Sequence, residues 1–305
     1  MEKQYFFSPG KLLLTSEYFA LDGAKALAIP TRLGQELSAE SIEDGRSYIY
    51  WETYREGRPW LKAWIDYANM KVLETNRDNA SEFILKIFHF LKYLASKKLI
   101  TDTSYRLISH IEFPENFGWG SSSTLINNLS KWAEVDAFVL NDLTLGGSGY
   151  DIGVAQEATP ILYTRTANEK IVEKISYAPR FKNELLFVHL NRKQDSREGI
   201  NMYRSKDRSS DLISYFSNLT DQILKENTDL EKFSFLMQKH EEKMSQFLNI
   251  PPIKEKFFKN APSFFKSLGA WGGDFVLTTK FRDYESYFFD NGYPVFFSYR
   301  DIISS

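Results

Sequence analysis

Along the first third of the chain, apolar and polar residues alternate with a period near two. Stretches at 4–7, 12–15, 26–37, 47–54 and 60–64 carry the β-branched and aromatic content of strands, with Glu56-Gly57-Arg58 as the turn before the last of them. The period then becomes helical. Ile84, Ile87, Phe88, Leu91 and Leu94 recur at i, i+3, i+4 and i+7, behind a segment Asn79-Ala-Ser-Glu82 with the form of a capping box. A strand at 105–113 precedes helices at 122–138 and 150–156 and a strand at 161–164. Further strands are predicted at 171–177 and 185–190, and helices at 196–203, 211–225 and 230–248. Thr228-Asp-Leu-Glu231 reads as a second capping box, and Pro251-Pro252 interrupts the helical run. Strands at 264–268 and 275–279 flank a glycine-rich turn, a helix at 284–289 stops at Asn291-Gly292, and a strand at 295–299 closes the pattern.

This mixture predicts an α+β protein of two lobes, 1–180 and 181–305. No linker composition marks the division. With 43% hydrophobic and 16% aromatic residues, the chain can bury a large core, which excludes a disordered protein. A formal charge of −2 supplies no field that would recruit nucleic acid or an anionic membrane. There is no cysteine, which removes disulfides, thiolate metal sites and a cysteine nucleophile together and fits a cytoplasmic location. No uncharged apolar run approaches the roughly 18 residues of a membrane span. The four histidines are dispersed and lie in no metal-ligand spacing.

Three loops carry candidate chemistry. The first, at 113–123, reads FPENFGWGSSS directly before a helical pattern. A helix N-terminus offers N–H groups without intrahelical partners, and Gly118 and Gly120 let a ligand approach the backbone. Ser121, Ser122 and Ser123 add hydroxyls suited to phosphate oxygens or a Mg2+ ion. The alternative is that Ser121 or Ser122 is only an N-cap and the glycines form a tight turn. The loop is neither a Walker A sequence nor a dinucleotide fingerprint, and the protein-kinase motifs are absent. The second loop is Pro9-Gly10-Lys11-Leu12, read as a turn with Lys11 at the base of the following strand; a solvated lysine is the alternative. The third is Gly269-Ala270-Trp271-Gly272-Gly273-Asp274, either a hairpin connection or a wall against a ligand.

In this order the three loops resemble the GHMP kinases, the superfamily of galactokinase, homoserine kinase, mevalonate kinase and phosphomevalonate kinase. Their pattern is P-G-K-[LIV], then P-x-x-x-G-x-G-S-S-[AS], then G-A-G-G-G-D. The segment GGSGYDIGVAQ at 146–156 resembles the S-G-x-D segment of the mevalonate-pathway branch, and Ser16-Glu17-Tyr18 resembles the G-E-Y of phosphomevalonate kinases. Ser16 stands where the family has glycine, and Trp119 and Trp271 stand where small or aliphatic residues are usual. The resemblance implies an N-lobe like domain 2 of ribosomal protein S5 and a ferredoxin-like C-lobe.

It also implies an activity: transfer of the γ-phosphoryl group of ATP, with Mg2+, to a small anionic metabolite, mevalonate or phosphomevalonate. A decarboxylase of the same superfamily and a non-catalytic binding protein are the alternatives. On this resemblance the phosphates lie on the N–H groups of Gly118, Trp119, Gly120, Ser121, Ser122 and Ser123, and Ser122 helps hold Mg2+. Asp151 is the catalytic aspartate, and Lys11 is expected beside it, keeping it ionised. Trp119 is expected to wall the nucleotide pocket. Lys193, Ser196 and Arg197, in the basic segment NRKQDSREGI, are expected to read the acceptor's anionic group, with Gly272 and Gly273 also on the substrate. A solvated helix start is the alternative for the basic segment. The expected partners are a small-molecule substrate and, at most, a second copy of the chain, with neither nucleic acid nor membrane.

Overall fold

The computed structural model describes residues 3–95, 98–99, 102–192, 196–269, 271 and 273–303, and for 196–198 the backbone alone. It resolves into two compact units, neither continuous in sequence. The first comprises Met1–Gly10, Leu33–Glu115 and Trp119–Ala158; the second comprises Lys11–Arg32, Asn116–Gly118 and Thr159–Ser305. The lobes expected from the sequence, 1–180 and 181–305, are each one continuous stretch.

The first unit is built on β1 (Gln4–Leu13), β2 (Ala26–Ile42), β3 (Tyr48–Arg55), β4 (Arg58–Asp66), β5 (Lys71–Thr75) and β6 (Ser104–Ile111). The strands run in the order β5-β4-β3-β6-β2, with β1 also on β2. β3 and β6 are parallel, with Ile49 opposite Tyr105; β2 and β6 are antiparallel, with Leu37 opposite Ser109. Strict alternation along β3 turns Ile49, Trp51 and Thr53 inward. Against that face lie α1 (Asp78–Leu94), α2 (Ser121–Ala133), α3 (Ala137–Thr144) and α4 (Tyr150–Glu157). Ile84, Ile87, Phe88 and Leu91 of α1 share one core with Ile126, Leu129 and Trp132 of α2 and Ile152 of α4.

The second unit takes residues 26–32 of β2, of which Ala26, Leu27 and Ala28 pair with β7 (Ile161–Arg165), itself paired with β8 (Lys170–Lys174). Its other sheet is made by β9 (Leu185–His189), β10 (Lys266–Leu268), β11 (Phe275–Thr279) and β12 (Phe296–Ser298), in the order β10-β11-β9-β12. The helices are α5 (Ser196–Arg204), α6 (Ser210–Lys225), α7 (Leu230–Leu248), α8 (Ile253–Phe257), α9 (Tyr284–Asp290) and α10 (Tyr299–Ile302). Helices between β9 and β10, a β10–β11 hairpin and α9 before β12 give the ferredoxin-like arrangement. One core gathers Val188, Phe258, Phe265, Val276 and Phe288; a second gathers Phe19, Tyr203, Phe216, Met244 and Trp271.

Several local expectations are corrected. β1 runs straight through Pro9-Gly10, so Lys11 lies inside a strand and not after a turn. Proline is tolerated there because β1 pairs on β2 alone among the described strands, and an edge strand can omit one N–H. The helix expected at 122–138 is two. Glu134 takes the left-handed conformation and ends α2, and Asp136 caps α3 by accepting from the N–H groups of Phe138 and Val139. Neither expected capping box forms: α1 begins after Arg77, and α7 is capped by Asp229, which accepts from the Lys232 N–H. Strand β5 and helices α8 and α10 are too short for periodicity to show them.

Candidate active site

The glycine-serine loop divides between the units, with residues 116–118 in the second and Trp119 onward in the first. In the second unit Phe117 is the anchor. Its ring lies 4.9 Å from that of His189, 5.2 Å from Phe275 and 5.8 Å from Phe297, on the β9/β11/β12 face. The Asn116 carbonyl is 3.1 Å from His189 Nε2. Gly118 follows with φ +66°, and a β-carbon there would fall 1.9 Å from Asp274 Oδ2. Both the backbone conformation and the close approach of this carboxylate require glycine. A small cleft is lined by Lys11, Gly118, Gly269 and Asp274 together with Phe117 and Phe275. Residues of all three loops thus meet in the second unit.

In the first unit the loop opens α2. The N-cap is Gly120, at φ +82°, so Ser121, Ser122 and Ser123 occupy the first helical turn and none of them is the cap. The first intrahelical bond runs from the Thr124 N–H to the Gly120 carbonyl at 3.0 Å. The N–H groups before it are those a helix leaves for an anion. The Trp119 indole is 2% exposed and packs on Phe113, with ring centroids 5.6 Å apart. That is the place of a core anchor, which corrects the expectation of a nucleotide wall; what Trp119 leaves to the loop is its backbone.

A buried polar lattice fixes α2 from behind. Ser8 Oγ donates to Asn128 Oδ1 at 2.7 Å, and Asn128 Nδ2 donates to the Gln35 carbonyl at 2.8 Å. Gln35 Nε2 donates to Ser109 Oγ at 2.7 Å, and Asn127 Nδ2 donates both to Ser8 Oγ and to the Ala155 carbonyl of α4, at 2.8 and 2.9 Å. Thus α2 is registered on β1, β2 and α4 by directional bonds inside an apolar core. Asp151 stands in the first turn of α4, half-buried, after Gly149 at φ +96°. Lys11 belongs to the second unit and Asp151 to the first. Two asparagines side by side on a core-facing helix were the sequence signal for this lattice.

The second unit also holds an ionic cluster that motif reading missed. Glu17, Lys266, Glu241 and His240 are all buried. Lys266 Nζ is paired with Glu17 Oε1 and lies 4.0 Å from Glu241 Oε2. Glu241 accepts from the N–H groups of Ile253 (3.1 Å) and Ser267 (3.0 Å), from Ser267 Oγ (3.0 Å) and from Trp271 Nε1 (3.1 Å). Burial pushes the Glu17 carboxyl up to about 7, against the opposing pull of Lys266. His240 Nε2 accepts the Ser16 N–H at 2.8 Å, and burial, aided by Lys266, holds the imidazole well below its ordinary pKa, hence neutral. Ser16 sits at φ +63° and its hydroxyl donates to the Lys25 carbonyl at 2.7 Å. The Trp271 N–H donates to the Tyr18 hydroxyl at 3.2 Å. A β-carbon on Gly199 of α5 would fall 2.1 Å from the same hydroxyl.

For the expected acceptor residues, Ser196 and Arg197 lie in the first turn of α5, while Lys193 and Gly272 fall outside the described residues. Gly273 is buried beside Asp274 in the third loop.

No protein-family model matches the sequence, and a search of curated proteins finds no match. Solved structures do match. The Methanococcus jannaschii mevalonate kinase aligns with a TM-score of 0.67 at 16% identity, over 100% of this chain and 99% of that one. The Streptococcus pneumoniae phosphomevalonate kinase in complex with phosphomevalonate and AMPPNP aligns with 0.67 at 15%, over 98% and 100%. The Lactococcus lactis galactokinase complexed with galactose aligns with 0.67 at 17%, over 97% and 93%. The chain has the GHMP kinase fold, at 15–17% sequence identity to those structures.

Proposed function

We propose that this chain is an ATP-dependent phosphotransferase whose acceptor is a small anionic metabolite, with mevalonate and phosphomevalonate as the leading candidates. The observation that carries the reading is the cleft lined by Lys11, Gly118, Gly269 and Asp274, to which each of the three loops contributes. Phosphoryl transfer needs positioning and charge neutralisation more than covalent chemistry, and these loops offer both. The first-turn N–H groups of α2, with Gly118 to Ser123, would take the phosphates, and Ser122 Oγ would ligate Mg2+. Bound Mg2+ supplies neutralisation of charge on the phosphate oxygens. In the reaction an acceptor oxygen bonds to the γ-phosphorus as the bond to ADP breaks, and Asp151 orients the acceptor group or takes its proton. Lys11 would neutralise the charge developing on the phosphoryl group. Lys193, Ser196, Arg197, Gly272 and Gly273 would read the acceptor.

A coupled ADP-release assay with ATP and Mg2+ against mevalonate, phosphomevalonate, homoserine and galactose tests this. Turnover with at least one acceptor is expected, falling by about 10²-fold or more in Asp151→Asn. No turnover with any of the four, or an unaffected Asp151→Asn, overturns the reading.

A further inference from the structure

Away from that cleft, the second unit contains a cavity with a different chemistry. Its volume is about 480 Å3 and its lining includes Asp22, Arg165, Thr166, Tyr203, Arg204 and Arg208. Three guanidinium side chains thus line it against one carboxylate. The volume lies within the range of small-molecule sites. At roughly 30 Å3 per water it exceeds what a bare phosphate ion requires, so an organic remainder fits beside the anionic group.

The single acid is already engaged. Asp22 Oδ2 accepts from the Tyr203 hydroxyl at 2.6 Å and from Arg208 Nε at 3.1 Å. Burial first, then the bond to Asp22, raises the Tyr203 phenol above its ordinary pKa and keeps it a donor. The Arg208 guanidinium lies 5.3 Å from the centroid of the Tyr203 ring, and Nη1 donates to the Arg204 carbonyl at 3.4 Å. Arg208 is therefore held in place by protein contacts before any ligand arrives. Arg165 ends β7, and its carbonyl would lie 2.6 Å from a β-carbon on Gly23, where φ is +95°. The end of β7 and the Asp22-Gly23 turn consequently pack backbone to backbone, which fixes Arg165 relative to Asp22.

A concave site with an excess of arginine selects anions that present two oxygens to the planar guanidinium fork. We propose that this cavity binds a phosphorylated small organic anion. None of the residues assigned to phosphoryl transfer lines it. Occupancy would also be felt at the third loop: Tyr203 stacks on Tyr18 at 5.8 Å, and the Tyr18 hydroxyl is bonded to the Trp271 N–H.

Calorimetric titration of the full chain with glycerol 3-phosphate, and separately with inorganic phosphate, tests the site. The ester is expected to bind at one site per chain and more tightly than inorganic phosphate. Its affinity is expected to fall at least tenfold in Arg204→Ala and in Arg165→Ala and to stay unchanged in Lys11→Ala. Neither arginine is in the core, and a thermal melt of each variant verifies that it folds. No binding to the wild type, wild-type affinity in both arginine variants, or loss of binding in Lys11→Ala overturns the proposal. Equal affinity for the ester and inorganic phosphate overturns its organic part.

Discussion

Glu17 shows how much a single residue can carry without any motif revealing it. Its carboxyl titrates near 7 in the folded chain because burial outweighs the Lys266 ammonium. The unfolded chain releases that proton near the ordinary carboxylate pKa, so between about pH 4.5 and 7 the folded state binds more protons. The contribution is therefore complete below that window and lost as pH rises through 7. The shift corresponds to roughly 3 kcal/mol. Urea unfolding at pH 4.5 and 7.5 should show wild-type stability falling by about that much relative to Glu17→Gln; parallel pH dependence in the two proteins would show that Glu17 does not titrate in the window. Ser16 is the converse case. That Ser16 stands where the resembled pattern has glycine was visible in the sequence, but its consequence was not. The backbone keeps the left-handed conformation a glycine would adopt, and the serine hydroxyl and N–H are both bonded. A motif names a residue type, whereas the φ angle states what the position demands.

Among the elements, α5 is placed by what it lacks. Alanine at Gly199 gains about 1 kcal/mol of helix propensity but sets a methyl against the Tyr18 hydroxyl, an overpacking that costs about 1–3 kcal/mol. Gly199→Ala should thus lower the urea midpoint, and Tyr18→Phe in the same chain should recover part of the loss by removing the hydroxyl oxygen. Additive effects of the two changes would show that the clash is relieved elsewhere. The long elements were legible from their periodicity: α7 runs over the residues the pattern gave, Leu230–Leu248, and so does β11, Phe275–Thr279. Boundaries set by a single φ angle were not legible. The break at Glu134 and the continuity of β1 through Pro9-Gly10 both depend on tertiary pairing that no local pattern encodes. The three glycine loops were legible because close approach leaves a mark in residue type. The Glu17–Lys266 cluster was not, because its members lie up to 249 positions apart and each alone reads as a surface charge.

For the whole molecule, nucleotide binding should be measurable as stability, because a ligand that binds only the folded state shifts the unfolding equilibrium. ATP with Mg2+ at a hundredfold excess over its Kd adds about 2.7 kcal/mol, which for a chain of this length raises Tm by about 4 °C. A thermal melt with and without ATP should show the rise, and Lys11→Ala should reduce it; no rise in the wild type would argue against the nucleotide site. No helix among the described residues is long and apolar enough to cross a membrane. The six tryptophans are distributed unevenly: Trp51, Trp60, Trp64, Trp119 and Trp132 lie in the first unit, and Trp271 lies in the second. The Trp271 indole is bonded to a carboxylate and its amide to a phenol, inside the loop that also carries Asp274. With phenylalanine at the other five positions, its emission would isolate one loop, giving the protein an optical gauge of its own third motif.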